Sequence, residues 1–277
     1  MIDTALLKDK TAFVSGASRG IGKAIAVALA KSGVNVALFA KTGEPHPKLP
    51  GTIYETAREV EAAGAGALPI VGDIRDEDSV QEAVDRTASQ FGGIDILVNN
   101  ASALNLSTLG EMEVKRYDLI QQINARGTYV ATHAALPHLR ESSHAHVLTL
   151  SPPLNTDPKW FAMGPYTMSK YGMTIMTLGV SVSEGENGVA ANCLWPKTTI
   201  ATAAVEFGLG GQDMMERSRT VDLMSDAALA VLSRKPADHT GRAMLAEDVM
   251  AENGVTDLAK YAAVEGNTDF QPDLYVD

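Results

Sequence analysis

Residues 11–22, TAFVSGASRGIG, decide how the rest of the chain is interpreted. The first five of them are mostly apolar or β-branched and predict a buried strand over 11–15. A helix is predicted over 21–31, because apolar residues recur there on one face: Ile21, Ile25, Ala28 and Leu29. A glycine-rich turn joins this strand to this helix. In a dinucleotide-binding fold the glycines stand at this position, where side chains would keep the cofactor away from the backbone.

The glycine-rich turn fits a phosphate group for two reasons. The bare backbone can approach a pyrophosphate closely, and the N-terminus of the following helix faces its negative charge. A turn that only reverses the chain direction is the alternative, and the glycines alone do not exclude it. The position between the first strand and the first helix favours a pyrophosphate, held by Gly16, Ser18, Arg19, Gly20, Ile21 and Gly22.

The alternation of strand and helix continues along the chain. Further strands are predicted over residues 35–40, 66–71, 94–99, 145–150 and 189–195, with a less distinct one over 242–246. Helices are predicted over 52–63, 77–91, 114–141 and 165–186, the third one broken near Asn124 and bent at Pro137. Strands that are apolar on both faces are typical of a parallel sheet covered by helices. We therefore expect a single-domain, doubly wound, Rossmann-type α/β fold over residues 1–277.

Two segments do not follow this alternation. Residues 41–51, KTGEPHPKLPG, are rich in proline and glycine and predict a loop insertion. Residues 252–277 are mostly polar, and we expect this C-terminal tail to pack on the domain surface or on a neighbouring molecule.

Composition excludes several classes of partner. The formal net charge of -11 argues against nucleic acid or an anionic membrane surface. No run of about 18 apolar residues is present, so no membrane span is expected. Cys193 is the single cysteine, which excludes an intrachain disulfide and suits a reducing compartment. Residues 1–10 lack the apolar core of a signal peptide, and we expect a cytoplasmic protein.

The end of the second strand bears on the choice of cofactor. NAD-binding folds usually place an acidic residue there to hold the ribose hydroxyls. This chain has Ala40 followed by Lys41, and Lys41 together with Arg19 could hold a 2′-phosphate. We therefore expect NADP(H), with NAD(H) as the alternative if Lys41 only begins a solvated loop.

Tyr166 and Lys170 are the candidate acid/base pair. Four residues apart on a predicted helix, they share one face. A free phenol has a pKa of about 10, and a nearby ammonium lowers it by favouring phenolate. An ordinary helix surface pair is the alternative. Ser151 ends the preceding strand, where its hydroxyl could bind a substrate oxygen or only serve the turn before Pro152.

In combination these features resemble the short-chain dehydrogenase/reductase family over almost the full length. Residues 15–22 resemble its Thr-Gly-x-x-x-Gly-x-Gly turn, with Ser15 in place of Thr. Residues 99–102, NNAS, resemble the Asn-Asn-Ala-Gly that supports the centre of the sheet, and the pair Asp73 and Ile74 resembles the contact to adenine. The catalytic tetrad is matched in identity and order by Asn124, Ser151, Tyr166 and Lys170.

The resemblance implies a role for each of these residues. Tyr166 exchanges a proton with the substrate oxygen, Lys170 tunes Tyr166 and holds the nicotinamide ribose, Ser151 stabilises the oxyanion, and Asn124 positions a water. It also implies a small-molecule substrate and a homodimer or homotetramer. The remaining cofactor contacts that it implies are Asp73, Ile74, Asn100, Ala101, Tyr166, Lys170, Pro196, Lys197 and Thr198.

The chain also departs from the family pattern. Lys197 stands where most members have the Gly of a Pro-Gly turn, and we expect its cation to contact a cofactor or substrate anion. The separation of Ser151 and Tyr166 is slightly long. Residues 40–54, 151–155 and 195–198 resemble one branch of the family that often carries a C-terminal sterol-carrier domain. Since this chain stops at Asp277, we do not expect lipid delivery within the same chain.

Three further expectations concern the substrate and the competing functions. An apolar substrate is indicated by the residues that flank the tetrad: Leu104, Leu106, Trp160, Phe161 and Met163. No metal site is expected, because the clustered histidines have no fixed ligand spacing. The leading function is an NADP(H) alcohol dehydrogenase or carbonyl reductase. The alternatives are a cofactor-binding regulator or scaffold, and a lyase or epimerase with bound NAD.

Overall fold

The centre of the fold is a seven-stranded parallel sheet with the strand order β3-β2-β1-β4-β5-β6-β7. The computed structural model describes residues 2–47 and 49–277; Met1, and Lys48 of the expected insertion, lie outside the described residues. The strands are β1 Thr11–Ser15, β2 Asn35–Ala40, β3 Ala67–Val71, β4 Ile96–Asn99, β5 His146–Thr149, β6 Ala190–Trp195 and β7 Ala243–Leu245. The order changes direction between β1 and β4, which is where open α/β sheets bind their ligands.

Helices cover both faces of this sheet. They are α1 Gly20–Lys31, α2 Ile53–Ala62, α3 Glu77–Phe91, α4 Val114–Gln121, α5 Gly127–Arg140, α6 Gly164–Ser183, α7 Ala203–Gly208, α8 Gly211–Glu216, α9 Val221–Leu232 and α10 Ala246–Glu252. Strand β1 shows why both faces are needed: Val14 packs with Ile25 of α1 in one buried cluster, and Phe13 packs with Val84 of α3 in another. The expected single-domain, doubly wound fold is confirmed.

The predicted helix over 114–141 is interrupted as expected near Asn124. Between α4 and α5 lies a π-helical turn, Gln122–Arg126, which contains Asn124. Such turns add a residue to the helical ladder and are frequent at functional sites. Helix α5 continues through Pro137 to Arg140.

The four helices after Trp195 were not predicted. The longest of them, α9, packs along α1, and its residues Leu223, Met224, Ala227, Ala228 and Val231 are buried. Their spacing of three and four residues is that of an amphipathic helix, so a sequence signal for α9 was present.

The end of the expected insertion, Pro50 and Gly51, is bound to the glycine-rich turn. The Arg19 guanidinium donates hydrogen bonds to the carbonyl oxygens of Pro50 at 3.0 Å and Gly51 at 3.2 Å. Among residues 2–47 and 49–277, no helix has the length and hydropathy that crossing a membrane requires.

Candidate active site

A cavity of about 1310 Å³ lies at the carboxyl ends of four neighbouring strands. Gly16 follows β1, Asn100 follows β4, Leu150 follows β5 and Pro196 follows β6, and all four line the cavity. The glycine-rich turn forms one part of its wall, with Gly16, Ser18, Arg19, Gly20 and Ile21. Tyr166 and Lys170 form another part. The fold thus brings the two main groups of predicted site residues into one cavity.

The glycines of the turn are required by close contacts. Gly16 has a φ of +68°, and a Cβ there would lie 2.7 Å from Asn100 Nδ2. Asn100 Nδ2 donates hydrogen bonds to the carbonyl oxygens of Ser15 at 3.0 Å and Gly16 at 3.1 Å. A Cβ on Gly22 would lie 2.3 Å from the same nitrogen, so Gly22 serves packing beneath the turn and is absent from the described wall.

This turn fits the pyrophosphate of a dinucleotide. A side chain at position 16 would fill the space that Gly16 leaves open, and the side chain of Arg19, at the N-cap of α1, makes no capping hydrogen bond. The amide N–H groups of that turn are therefore available to a phosphate oxygen. Ala101 extends the cavity wall from Asn100.

The residues expected around the adenosine, Lys41, Asp73 and Ile74, are not part of the described cavity wall. Lys41 Nζ is 3.5 Å from the Asp73 carboxylate and its side chain is 75% exposed. Arg75, which the sequence reasoning missed, donates from Nε to Asp73 at 2.9 Å. The hydrogen bond from Arg75 is the main reason why the pKa of Asp73 falls to about 2. Ile74 is buried in the core against Gly127.

Helix α6 presents Tyr166 and Lys170 to the cavity from its first turns. Pro165 stands in the first turn, where its missing N–H leaves no helical hydrogen bond unmade. Lys170 Nζ donates a hydrogen bond to the carbonyl oxygen of Leu150 at 3.0 Å and lies 5.1 Å from the Trp195 ring centroid. Burial lowers the pKa of Lys170 to about 7, and Asp273 opposes this shift.

The phenol of Tyr166 has an unexpected set of neighbours. Burial raises its pKa well above the ordinary value, and the nearby Tyr275 and Asp273 act in the same direction. The side-chain hydrogen bond from Ser102 acts the other way. Lys170 is not among the described groups that shift this pKa, contrary to the expected tuning. Lys170 Nζ is instead engaged by the Leu150 carbonyl oxygen.

Asn124 is fully buried, and its side chain binds protein groups. Its Oδ1 accepts from the Ala103 N–H at 2.7 Å, and its Nδ2 donates to the Ala103 carbonyl oxygen at 3.0 Å. Nδ2 also donates to Ser169 Oγ at 2.9 Å. The side chain therefore fixes the backbone after residue 102 and is absent from the described cavity wall.

Ser151 requires a correction. Its side chain is fully buried, its Oγ lies 2.9 Å from Thr174 Oγ1 on α6, and it is not part of the described cavity wall. Thr149 binds Thr177 of α6, Ser151 follows on the same side, and Leu150 between them lines the cavity.

Lys197 and Thr198 also lie away from the described wall. Their N–H groups donate to the Glu247 carboxylate at 2.7 and 3.1 Å. The Lys197 ammonium pairs with Asp248 at 2.5 Å, so the anion it contacts belongs to the protein itself. After Pro196 the wall continues at Ile200, Ala201 and Thr202, three residues that the sequence reasoning missed.

The C-terminal tail packs on the domain, and its last residues form part of the site, which the sequence did not predict. Asp273 and Leu274 line the cavity. Trp195 Nε1 donates to the Leu274 carbonyl oxygen at 2.9 Å, and the Asp273 N–H donates to that of Lys197 at 2.9 Å. Burial raises the pKa of Asp273 to about 7. An apolar Leu-Tyr pair within a polar tail was the sequence signal for this burial.

The side chains expected to favour an apolar substrate gather around Tyr166. Leu104, Leu106, Trp160 and Met163 pack on a buried cluster that contains Ile120, Tyr166 and Tyr275. Leu104 also lines the cavity, whereas the Phe161 side chain is 52% exposed.

Two of the clustered histidines bind backbone carbonyl oxygens. His144 Nε2 lies 2.8 Å from the Leu232 carbonyl oxygen, and His146 Nε2 lies 2.9 Å from that of Arg234. Within the described residues, no group of three or more histidine, cysteine or acidic side chains could hold a metal ion.

Comparison with known proteins agrees with this architecture. A family model described as short chain dehydrogenase matches residues 10–207, and the chain belongs to this family of oxidoreductases, which bind NAD(P). Hydroxysteroid dehydrogenase-like protein 2 of Xenopus tropicalis is 49% identical over 276 residues, which are 99% of this chain and 65% of that protein. The chain therefore spans about two thirds of such curated relatives. The branch indicated by residues 40–54, 151–155 and 195–198 is confirmed.

Two solved structures show the same fold. A short chain dehydrogenase from Mycobacterium thermoresistibile has a TM-score of 0.92 and 54% identity, covering 98% of this chain and 96% of that chain. A short chain dehydrogenase from Burkholderia cenocepacia, solved in complex with NADP, has a TM-score of 0.74 and 29% identity. It covers 85% of this chain and 95% of that chain.

Proposed function

We propose that this protein is an NADP(H)-dependent oxidoreductase acting on a carbonyl or hydroxyl carbon of an apolar, lipid-like substrate. The observation that carries this proposal is the cavity itself. It joins the phosphate-binding turn after β1 to the Tyr166 phenol and the Lys170 ammonium on α6. A pyrophosphate at one end and an acid/base at the other suit hydride exchange between a dinucleotide and a small molecule.

The chemistry assigned to the protein is proton transfer and orientation. The hydride is supplied or accepted by the bound cofactor. In carbonyl reduction the substrate oxygen gains negative charge and takes the proton of the Tyr166 hydroxyl; in alcohol oxidation the phenolate takes the proton back. Lys170, fixed by the Leu150 carbonyl at 3.0 Å, lines the same cavity as Tyr166 and would bind the nicotinamide ribose.

The preference for NADP(H) is proposed from Ala40 and Lys41. The second strand ends in Ala40, which has no carboxylate to bind the ribose hydroxyls or repel a phosphate. Lys41 is largely exposed, and its contact with Asp73 at 3.5 Å is an exposed ion pair of little strength. Its ammonium can therefore turn to a 2′-phosphate. The NADP complex of the Burkholderia cenocepacia relative supports this choice. NAD(H) is the alternative.

The compartment and the assembly are also proposals. A buried free cysteine, Cys193, suits the reducing cytoplasm. Helices α5 and α6 expose Tyr129, Met168, Ile175 and Val182, which supports a homodimer or homotetramer formed through these helices. The molar mass in light scattering distinguishes a monomer from either assembly.

A second candidate function is supported by the C-terminal tail. Tyr275 covers Tyr166, of which 4% is exposed, and a covered acid/base would suit a cofactor-binding regulator with little turnover.

The experiment that separates the two functions is a binding and turnover screen. NADPH and NADH are titrated by fluorescence, and the complex is then offered aldehydes, ketones, acyl thioesters and steroids. The proposal predicts tighter binding of NADPH and oxidation of it by an apolar carbonyl compound. Tight binding without turnover of any compound supports the regulator, and the absence of binding rejects both.

A further inference from the structure

One hydroxyl of the cavity wall lies against the Tyr166 phenol, and it belongs to Ser102. Ser102 lines the cavity together with Tyr166 and Lys170 and is exposed to it. Its side chain lies close enough to the Tyr166 hydroxyl to lower the pKa of the phenol, the direction in which a hydrogen-bond donor acts. A donor in this position faces any substrate oxygen that comes within reach of the phenol.

The backbone on both sides of Ser102 is fixed. The Ala101 N–H donates to Ser15 Oγ at 3.1 Å. On the other side, Ala103 is bound through both its N–H and its carbonyl by the side-chain amide of Asn124, at 2.7 and 3.0 Å. A hydrogen-bond donor on a fixed backbone needs no rearrangement when negative charge develops on the substrate oxygen, and this is why such donors are effective.

The same amide also ties Ser102 to Tyr166. Asn124 Nδ2 donates to Ser169 Oγ at 2.9 Å, and Ser169 Oγ donates to the Tyr166 carbonyl oxygen at 2.7 Å. The loop that carries Ser102 and the helix that carries Tyr166 are thus joined through one buried side chain.

Ser151, which the sequence pattern favoured for this task, faces the other way. Its Oγ lies in the interior beside Thr174 Oγ1 at 2.9 Å and has no exposure to the cavity. Leu150, the neighbouring residue that does line the cavity, has no hydroxyl, and neither has Pro152, which follows Ser151. Ser151 therefore cannot donate the hydrogen bond to the substrate oxygen that the sequence pattern predicted.

We propose that Ser102 is a catalytic residue that donates a hydrogen bond to the reacting oxygen, in the place expected for Ser151. The proposal rests on the proposed oxidoreductase function and deepens it. In reduction the hydride bonds to the carbonyl carbon and the π electron pair moves to the oxygen. That oxygen takes the Tyr166 proton, while the Ser102 hydroxyl stabilises the charge and keeps its own proton.

The test compares Ser102→Ala with Ser102→Thr and Ser151→Ala on a carbonyl compound that the unmodified protein reduces. Removal of one oxyanion donor lowers turnover by roughly 10²-fold, and we expect this loss in Ser102→Ala. NADPH affinity should not change, and the pH profile of alcohol oxidation should move upward because the phenolate loses a donor. Ser102→Thr should retain most of the turnover, since it keeps the hydroxyl.

The outcomes separate this proposal from the proposed function. Ser151→Ala should turn over like the unmodified protein, because its hydroxyl faces Thr174. If the unmodified protein is active and Ser102→Ala is equally active, or Ser151→Ala loses as much as Ser102→Ala, the role of Ser102 is rejected and the proposed function stands. If the unmodified protein binds NADPH but reduces no compound of the screen, both are rejected.

Discussion

The ring of Tyr275 stacks on that of Tyr166, with 6.5 Å between the centroids and 25° between the planes. The backbone of Tyr275 is held in the left-handed region at a φ of 68°, and its hydroxyl lies 3.3 Å from Thr167 Oγ1. Tyr275 is buried between Trp160 and Tyr171 and packs against the acid/base, while its neighbours Asp273 and Leu274 line the cavity.

Tyr275→Ala should widen the substrate side of the cavity without touching the glycine-rich turn. Loss of a buried aromatic ring should lower the free energy of unfolding by about 3–5 kcal/mol. KM for a small ketone should rise while the Kd for NADPH stays unchanged, because the ketone and the NADPH pyrophosphate bind at different parts of the cavity. Denaturant unfolding and steady-state kinetics measure these quantities. Tyr54→Ala, at a half-exposed ring, is the control. An unchanged KM would show that Tyr275 does not shape the substrate side of the cavity.

Lys41→Asp should reverse the cofactor preference. The carboxylate would repel a 2′-phosphate and accept hydrogen bonds from ribose hydroxyls. Fluorescence titration should then show tighter binding of NADH than of NADPH. Lys8→Asp makes the same charge change at an exposed position near Gly33, which precedes β2, whereas Lys41 follows it. This variant should leave the cofactor preference as it is. Tighter NADH binding by the unmodified protein would contradict the proposed cofactor.

Substrate chain length should affect catalytic efficiency. Each CH₂ group buried on the apolar side of the cavity contributes about 0.8 kcal/mol, or roughly a fourfold gain in kcat/KM. A homologous series of straight-chain ketones measures this slope. A flat or falling trend would reject an apolar substrate.

His146 should make the protein sensitive to acid. Burial lowers the pKa of His146 to about 3, so the folded form stays neutral where the unfolded chain, with its ordinary pKa of 6.5, takes up a proton. The free energy of unfolding should therefore fall as the pH falls from 6.5 toward 3, by about 1.4 kcal/mol per pH unit.

His146→Asn should flatten this dependence, measured by urea unfolding at a series of pH values. His133→Asn removes an exposed imidazole and serves as the control. An equal slope in His146→Asn and the unmodified protein would show that another group governs the acid response.

The local patterns in the sequence were sufficient for the fold and for much of the site. Strand β1, the glycine-rich turn and α1 follow from periodicity and backbone freedom within 21 residues, Thr11 to Lys31. The break at Asn124 and the positions of Tyr166 and Lys170 on one helix follow from spacing in the same way.

The errors concern properties that depend on distant parts of the chain. Ser151 follows the expected strand, β5, but the direction of its side chain depends on which side of the sheet α6 packs. Lys197 meets Asp248, which lies 51 positions further along the chain. Asp273 and Tyr275 reach the site because the tail returns across β6 and α6, and no local pattern encodes that return.

The most direct test of the account is the turnover of Tyr166→Phe. This substitution keeps the ring that packs on Tyr275 and removes the hydroxyl alone. NADPH should bind as in the unmodified protein, while reduction of a confirmed ketone should slow by roughly 10²–10⁴-fold, the usual effect of a positioned proton donor. Single-turnover absorbance at the NADPH band measures the chemical step. A Tyr166→Phe protein that reduced the ketone at nearly the parent rate would contradict the central claim that Tyr166 is the acid/base.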